Sequence, residues 1–127
     1  MAATIVDQHF LLSVFHLLII APLFLFVSFQ RSNTPSWLYA VFLSMGALVF
    51  LYHGWKFMIR WQARSGRTWI HFVHLITVAP LLVYIGYYGN NTPRAAYEML
   101  MILSWGMIGY HLFNLVRLLE AHPHDDE

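Results

Sequence analysis

The chain has 127 residues, of which 59% are hydrophobic and 10% are charged, and this composition excludes an ordinary soluble domain. Soluble domains are about 45–50% apolar and about 25% charged. The formal net charge of +1 offers no basic surface for nucleic acid, so we expect no nucleic-acid partner. The absence of cysteine excludes disulfides, thiolate metal sites and covalently attached c-type haem. The composition therefore predicts a membrane protein.

Four stretches poor in charge are long enough to cross a bilayer, whose apolar core of roughly 30 Å needs about 20 helical residues. They cover residues 10–29, 36–55, 68–88 and 95–116, and Glu98 is the one charged residue within them. Backbone polar groups in lipid must be satisfied within the segment, so we expect each stretch to be a helix. The predicted fold is all-α, an integral-membrane four-helix bundle whose surroundings are the lipid bilayer.

The basic residues beside these spans predict the orientation of the chain. The side that holds both termini and the middle connection carries five of them: Lys56, Arg60, Arg64, Arg67 and Arg117. The opposite side carries two, Arg31 and Arg94. Because an excess of Lys and Arg marks the cytoplasmic side of a membrane protein, we expect both termini in the cytoplasm.

The chain also repeats itself at a constant offset of 58 residues. Three motifs occur twice at this spacing: His-x5-Pro-Leu from 16 and from 74, Asn-Thr-Pro from 33 and from 91, and Tyr-His from 52 and from 110. Each copy holds two helices, so both copies have the same membrane orientation, related by a pseudo-two-fold axis along the membrane normal. The predicted divisions are a first repeat, a cytoplasmic connection, a second repeat and a polar tail, at residues 1–61, 62–66, 67–120 and 121–127.

A Thr-Pro step joins the two helices of each repeat. We expect Thr34 and Thr92 to cap the helices that follow, with Pro35 and Pro93 in the first helical position. Residues equidistant from a tight turn lie at similar depth in an antiparallel helix pair. Both Thr-Pro steps and the middle connection are midpoints between successive histidines, one on each span. The sequence thus predicts an inward-facing layer of four histidines in the cytoplasmic half of the membrane: His16, His53, His74 and His111.

The first interpretation of this layer is a cofactor site. Imidazole is a good ligand for Zn, Cu and haem iron, so all four side chains would hold one metal ion, or two of them on diagonal helices would hold one b-type haem. Four glycines near the layer would leave room for a macrocycle: Gly46, Gly54, Gly106 and Gly109.

The second interpretation is a proton or ion relay, because histidine titrates near neutral pH and marks proton paths in membranes. His9 and His71 would extend the polar column toward the cytoplasm, with Asn114 on the same side. Glu98 would carry the proton on the opposite side of the membrane. Its position near Arg94 also suits an interfacial residue.

The third interpretation is structural. Pro22 and Pro80 interrupt the first and third spans, and each frees the carbonyl group four residues earlier, of Leu18 or Ile76. Imidazole N–H groups on the neighbouring spans could satisfy these carbonyls. The protein would then be a membrane scaffold or assembly protein in which the histidines only make interhelical hydrogen bonds.

No set of nucleophile, base and acid lies at a common depth, so we expect no enzyme unless a redox haem is bound, and no residue is assigned a catalytic role. A homo-oligomer and a membrane-protein partner both stay open. The three repeated motifs, once per hairpin over residues 9–119, resemble those of small tandem-repeat membrane proteins of giant DNA viruses. That resemblance implies a virion membrane or an infected-cell membrane, and no known activity.

Overall fold

The structure is a computed structural model that describes residues 2–121, with side chains described from Gln8 onward. The described residues form helices and the turns between them, so the all-α prediction is confirmed. Four helical stretches are long and apolar enough to cross a membrane, and we call them the first to fourth spans: Gln8–Asn33, Ser36–Gln62, Thr68–Asn91 and Arg94–Glu120. Each contains one of the four predicted spans and extends beyond it. Residues 122–127 of the predicted polar tail lie outside the described residues.

The first and third spans are each built from several helical segments. The first begins within α-helix Ala2–Phe15 and continues through π-helix His16–Ile20, α-helix Ala21–Gln30 and the 3-10 turn Arg31–Asn33. The third contains α-helix Thr68–Val73, π-helix His74–Val78, α-helix Ala79–Tyr88 and the 3-10 turn Gly89–Asn91. The second and fourth spans are single α-helices, Ser36–Gln62 and Arg94–Glu120. From Phe15 onward every segment boundary recurs 58 residues later, so the repeat extends from the sequence to the backbone geometry.

Each π-helical turn lies directly before a proline. Pro22 and Pro80 carry no N–H and cannot bond to the carbonyl four residues earlier. The helix widens at this point, because the N–H of Ala21 bonds to the carbonyl of His16, five residues back. The third span repeats this bond to the carbonyl of His74. Single π turns inside α-helices are often found at functional sites, and these two begin at two of the predicted layer histidines.

The tight turns lie where the Asn-Thr-Pro motif predicts them, but the predicted caps are wrong by one residue. The backbone at Thr34 is extended, as the residue before a proline must be. Pro35 is also extended, with ψ 135°, so it is the N-cap and not the first helical residue. The carbonyls of Pro35 and Pro93 accept the first N–H of the next helix, each at 3.0 Å. The hydroxyl of Thr92 donates instead to the carbonyl of Ile85, at 3.3 Å, and so provides a partner for a carbonyl group near the end of the preceding helix.

The chain forms two compact units, and each unit draws on both repeats. The first unit joins the chain up to Phe29 to the chain from Met99 onward, and the second unit is Gln30–Glu98. In the second unit the second span packs against the third at Gly46. A Cβ atom on Gly46 would lie 2.7 Å from Cγ2 and 2.9 Å from the backbone N of Val83. Such small residues allow close helix approach in lipid.

Burial follows the repeat. Of the twenty residues that the structure shows as buried, eighteen form pairs at the 58-residue offset. The pairs are Ser13/His71, Ala21/Ala79, Phe24/Leu82, Val27/Ile85, Thr34/Thr92, Leu38/Ala96, Tyr39/Tyr97, Phe42/Leu100 and Gly46/Ser104. Within the most apolar window of each span only 17–28% of the residues are buried, so large apolar side chains remain outside both cores. Soluble monomers rarely expose contiguous apolar surface on this scale, and lipid would cover it.

Candidate functional site: paired histidines

Three histidines of the second unit form one cluster. The rings of His53 and His74 are stacked, with centroids 4.1 Å apart and planes 12° from parallel. The Nδ1 atom of His53 lies 2.8 Å from the Nδ1 atom of His71. A hydrogen bond between two ring nitrogens needs one donor and one acceptor, so at least one of these two imidazoles is neutral. His71, which the sequence placed in a relay and not in the layer, is thus part of the cluster.

Two histidines of the first unit form a matching pair. The rings of His16 and His111 are stacked, with centroids 4.5 Å apart and planes 21° from parallel. The Nδ1 atom of His111 lies 3.2 Å from the hydroxyl oxygen of Ser13, and both residues are buried. Ser13 precedes His71 by 58 positions, so the two occupy the same place in the repeat. Each unit therefore contains a stacked histidine pair with a third polar side chain bonded to one ring.

One ring of each pair is also held by its own helix. The Nδ1 atom of His16 lies 2.8 Å from the carbonyl oxygen of Leu12, and that of His74 lies 2.7 Å from the carbonyl oxygen of Ile70. A carbonyl oxygen only accepts, so Nδ1 is the donor in both rings. The same kind of bond orients histidines that ligate metals. Here it sets the tautomer and the orientation of the stacked rings.

The face-to-face stacking limits the charge that each pair can carry. Two imidazolium charges about 4 Å apart would repel each other by roughly 4 kcal/mol at an effective dielectric constant of about 20. This repulsion opposes two simultaneous positive charges on one pair. A stacked aromatic pair contributes about 0.5–1.5 kcal/mol beyond the burial of its surface, so each pair strengthens the contact between its two helices.

The structure offers little support for a cofactor among these rings. No group of three or more His, Cys, Asp or Glu side chains is arranged to hold a metal ion within the part of the chain whose side chains are described. In the second unit, the Nδ1 atoms of His53 and His71 face each other while that of His74 faces its own backbone. Gly46 does not make room for a macrocycle as predicted, because it packs against Val83. A single layer of four histidines stays a prediction.

The other predicted relay residues lie in varied surroundings. His9 is exposed, and Asn114 is half-buried on the fourth span. Glu98 accepts a hydrogen bond from the Nε of Arg94 at 2.6 Å, and both side chains are exposed. Glu98 is thus paired with Arg94, near which the sequence places it as an interfacial residue, and an exposed pair of this kind contributes little to stability.

A second polar cluster, which the sequence analysis missed, lies at the other end of the second unit. The hydroxyl oxygens of Tyr39 and Tyr97 are 2.8 Å apart. Tyr39 also lies 3.0 Å from the carbonyl oxygen of Arg31, and Tyr97 lies 3.3 Å from that of Gly89. The sequence does contain a signal for this contact, because tyrosine occurs at both repeat positions, 39 and 97. The corresponding signal for the histidine clusters is that two polar residues, Ser13 and His71, share one repeat position.

Two hydroxyl hydrogens serve the three contacts of this tyrosine cluster, so one contact at any moment lacks a hydrogen. The shorter distances favour a chain in which Tyr97 donates to Tyr39 and Tyr39 donates to the Arg31 carbonyl. The Gly89 carbonyl is not left unsatisfied, because it also accepts the backbone N–H of Thr92 at 3.0 Å. The two halves of the cluster are alike in position and differ in hydrogen bonding.

The fold and these clusters define a small all-α protein with four helices of membrane-spanning length and interhelical histidine contacts. Comparison with protein-family models, with curated proteins and with solved structures finds no match to the chain. The function is therefore inferred from the geometry of its own residues.

Proposed function

We propose that the protein is a small four-span integral membrane protein with a structural role, a scaffold or assembly protein whose histidines fasten neighbouring helices. One observation carries this proposal: in each unit two histidine rings from different spans are stacked, and the Nδ1 atom of His53 or His111 lies within 3.2 Å of a polar atom on the neighbouring span. Helices in lipid associate through packing and interhelical hydrogen bonds, since lipid tails are as apolar as the helices. Fastening of this kind requires no substrate, and we propose no enzymatic activity.

The arrangement that we propose has two repeats in the same membrane orientation, related by a pseudo-two-fold axis along the membrane normal. The contact of Tyr39 with Tyr97 supports it, because a residue meets its own repeat copy only beside the axis that relates the copies. The excess of basic residues supports a cytoplasmic location for both termini and for the middle connection.

The structural role is tested on protein purified in mild detergent, by absorption spectroscopy, elemental analysis and thermal unfolding. We expect no Soret band, less than one Zn or Cu per chain, and a lower unfolding midpoint after His53→Leu or His111→Leu. His9→Leu is the matched control, because His9 is exposed, and it should leave the midpoint unchanged. A Soret band, or stoichiometric metal that both variants lose, would favour a b-type haem or a metal ion instead.

A proton relay is tested separately, because it would need polar groups along the spans. In the second unit the residues buried between Tyr39 and His53, and between His74 and Gly89, are apolar or glycine: Phe42, Gly46, Ala79, Leu82 and Ile85. We expect pyranine-loaded liposomes that contain the protein to show no proton flux from pH 5 to 8. A flux that disappears after His71→Ser would contradict the structural proposal.

A scaffold protein binds a partner, and we propose that this partner is a second copy of the chain or another membrane protein. Cross-linking in native membranes tests this step. We expect discrete cross-linked species that are lost in the His53→Leu/His111→Leu double variant and kept in His9→Leu. A chain that stays monomeric and uncrosslinked in its native membrane would argue against assembly.

A further inference from the structure

Four basic side chains lie where the second and third spans join: Lys56, Arg60, Arg64 and Arg67. We call them the basic hairpin end. The second span ends at Gln62 and the third begins at Thr68, so all four lie within about 9 Å of the turn at 1.5 Å per helical residue. Arg64 and Arg67 are exposed in the turn, while Lys56 and Arg60 are half-buried on the helix. The four cations thus form one positive end of the second unit.

The turn that carries these side chains has a defined backbone. Arg64 adopts a left-handed conformation with φ 51°, and its N–H bonds to the carbonyl of Trp61 at 3.1 Å. The N–H of Ser65 bonds to the carbonyl of Arg60 at 3.0 Å, which completes a Schellman motif. The hydroxyl of Thr68 then donates to the carbonyl of Ser65 at 2.7 Å. The exposed arginines are therefore presented on an ordered turn.

No acidic side chain compensates this charge within its unit. Glu98 is the single Asp or Glu in the sequence of Gln30–Glu98, and it lies in the first turns of the fourth span. There it accepts the hydrogen bond of Arg94 at 2.6 Å. The four cations of the basic hairpin end are left without a carboxylate in the second unit, so an anion from outside the unit would meet an uncompensated charge of about +4.

Aromatic side chains place this end at the surface of a membrane. Trp55, Trp61 and Trp69 flank the turn and are all exposed. The Nζ of Lys56 lies over the ring of Trp55, 5.3 Å from its centroid. Tryptophan is enriched where hydrocarbon meets the headgroup layer, and lysine side chains extend toward that layer. Phospholipid phosphates are the anions that occur at this depth.

We propose that the basic hairpin end binds the phosphate-bearing headgroup of an anionic phospholipid. Clusters of four or more Lys and Arg directly beside a membrane span recognise anionic lipids, and each cation near the surface contributes about 1 kcal/mol. That energy corresponds to about a fivefold change in affinity for each cation. The flanking tryptophans favour a lipid over a soluble anion, because they anchor the end among acyl chains and headgroups. The lipid site does not depend on the structural role proposed for the histidines.

The site is tested by titrating the full chain, purified in a neutral detergent, with dioctanoyl phosphatidylglycerol and with dioctanoyl phosphatidylcholine. We expect the anionic lipid to bind more tightly and to raise the unfolding midpoint, and we expect 0.5 M salt to remove most of that difference. The Arg64→Gln/Arg67→Gln variant should bind the anionic lipid about 25-fold more weakly, whereas Arg64→Lys/Arg67→Lys should stay within about threefold of the wild type.

Arg94→Gln is the matched control at the other end of the unit and should leave lipid binding unchanged. Equal binding of the two lipids by the wild-type chain would overturn the proposal, and this measurement needs no variant to fold. Equal loss in Arg94→Gln and in Arg64→Gln/Arg67→Gln would also overturn it. Displacement of the lipid by an equal concentration of glycerol phosphate would do so as well, because the ligand would then be a soluble phosphate.

Discussion

The hydroxyl oxygens of Tyr39 and Tyr97 lie 2.8 Å apart, and the two tyrosines occupy the same position in successive copies of the 58-residue repeat. The 3-10 turns Arg31–Asn33 and Gly89–Asn91, which are also repeat equivalents, contact each other in the same unit. Equivalent residues of the two copies thus meet beside one another. The tyrosine contact is thus a direct contact between equivalent positions of the two repeats.

Hydrogen counting at this contact predicts the effect of removing the hydroxyls. Tyr39→Phe and Tyr97→Phe each leave one hydroxyl hydrogen and one hydrogen bond, and the double variant leaves none. Since a net hydrogen bond contributes about 1 kcal/mol, we expect each variant to lose about that much stability and the double variant about twice as much. Reversible unfolding in mixed micelles would measure the free energy of unfolding.

Tyr87→Phe is the control for the tyrosine variants, because Tyr87 is 75% exposed, and it should change stability by less than about 0.5 kcal/mol. If all three contacts contributed independently, each single variant would lose two of them and the double variant only three. A double variant that costs clearly less than the sum of the single variants would therefore contradict the two-hydrogen description.

Arg31 and Gly89 offer a test of backbone strain, because they are repeat equivalents with positive φ, 52° and 54°. Glycine adopts this conformation freely, whereas another residue pays about 1–2 kcal/mol. We expect Arg31→Gly to stabilise the protein by about 1 kcal/mol and Gly89→Ala to destabilise it by about 1–3 kcal/mol. Thermal unfolding in detergent would show midpoint shifts of opposite sign.

Arg31→Lys keeps both the charge and the positive φ, so it should leave the unfolding midpoint unchanged. The nearest side-chain atom to a Cβ on Gly89 would be Cδ2 of Tyr39 at 3.8 Å, an ordinary contact. A lower unfolding midpoint in Gly89→Ala would therefore result from the strained backbone conformation and not from a steric clash. Destabilisation by Arg31→Gly would show that the arginine side chain matters more than the strain.

Close packing of the second and third spans predicts a strong response to added methyl groups. A Cβ on Gly86 would lie 2.5 Å from the backbone N of Leu43, and a Cβ on Gly46 would lie 2.9 Å from the backbone N of Val83. We expect Gly86→Ala to cost about 3 kcal/mol or more and Gly46→Ala about 1–3 kcal/mol, because a backbone cannot move as a side chain can. Chemical unfolding would rank the two.

Gly106→Ala is the matched control for these glycines, because a Cβ there meets no atom within 4 Å beyond its own helix. It should be neutral or slightly stabilising, since alanine favours helix over glycine by about 1 kcal/mol. If Gly106→Ala destabilised the protein as much as Gly86→Ala, the close contact of the two spans would not be the cause.

The repeat also predicts which substitution the histidine cluster tolerates. His71 takes the place in the second unit that Ser13 has in the first, and both contact the Nδ1 atom of a stacked histidine. We expect His71→Ser to cost less than about 1 kcal/mol, since a hydroxyl can still serve His53. His71→Leu should cost about 1–3 kcal/mol, because the buried ring nitrogen then loses this partner. The unfolding midpoints of the two variants would test this.

Ser13→Ala completes the comparison and should destabilise the protein by roughly the same amount as His71→Leu. Equal losses in His71→Ser and His71→Leu would mean that the volume of the ring, and not its hydrogen bond, is what the cluster requires.

The histidine positions show which side-chain contacts can be predicted from helical spacing and which cannot. His71 and His74 are three residues apart, a spacing that places two side chains on one face of a helix, and both rings lie against His53. The ring of His16 depends on the π turn that begins at that residue, where the regular 100° per residue no longer holds. Apolar runs do not reveal such a turn, although the following Pro22 marks where the α-helical bonding must fail.

What the sequence by itself determined is the four-helix, all-α architecture, its duplication and the positions of its turns. These depend on the apolar length of each span and on the local preferences of Thr-Pro, which a short window of residues contains. Only the tertiary structure decided that His53 pairs with His74, that His16 pairs with His111, and that Tyr39 meets Tyr97. These contacts depend on the rotation and spacing of helices that are distant in sequence, and in the second unit Gly46 and Gly86 allow the second and third spans to approach closely.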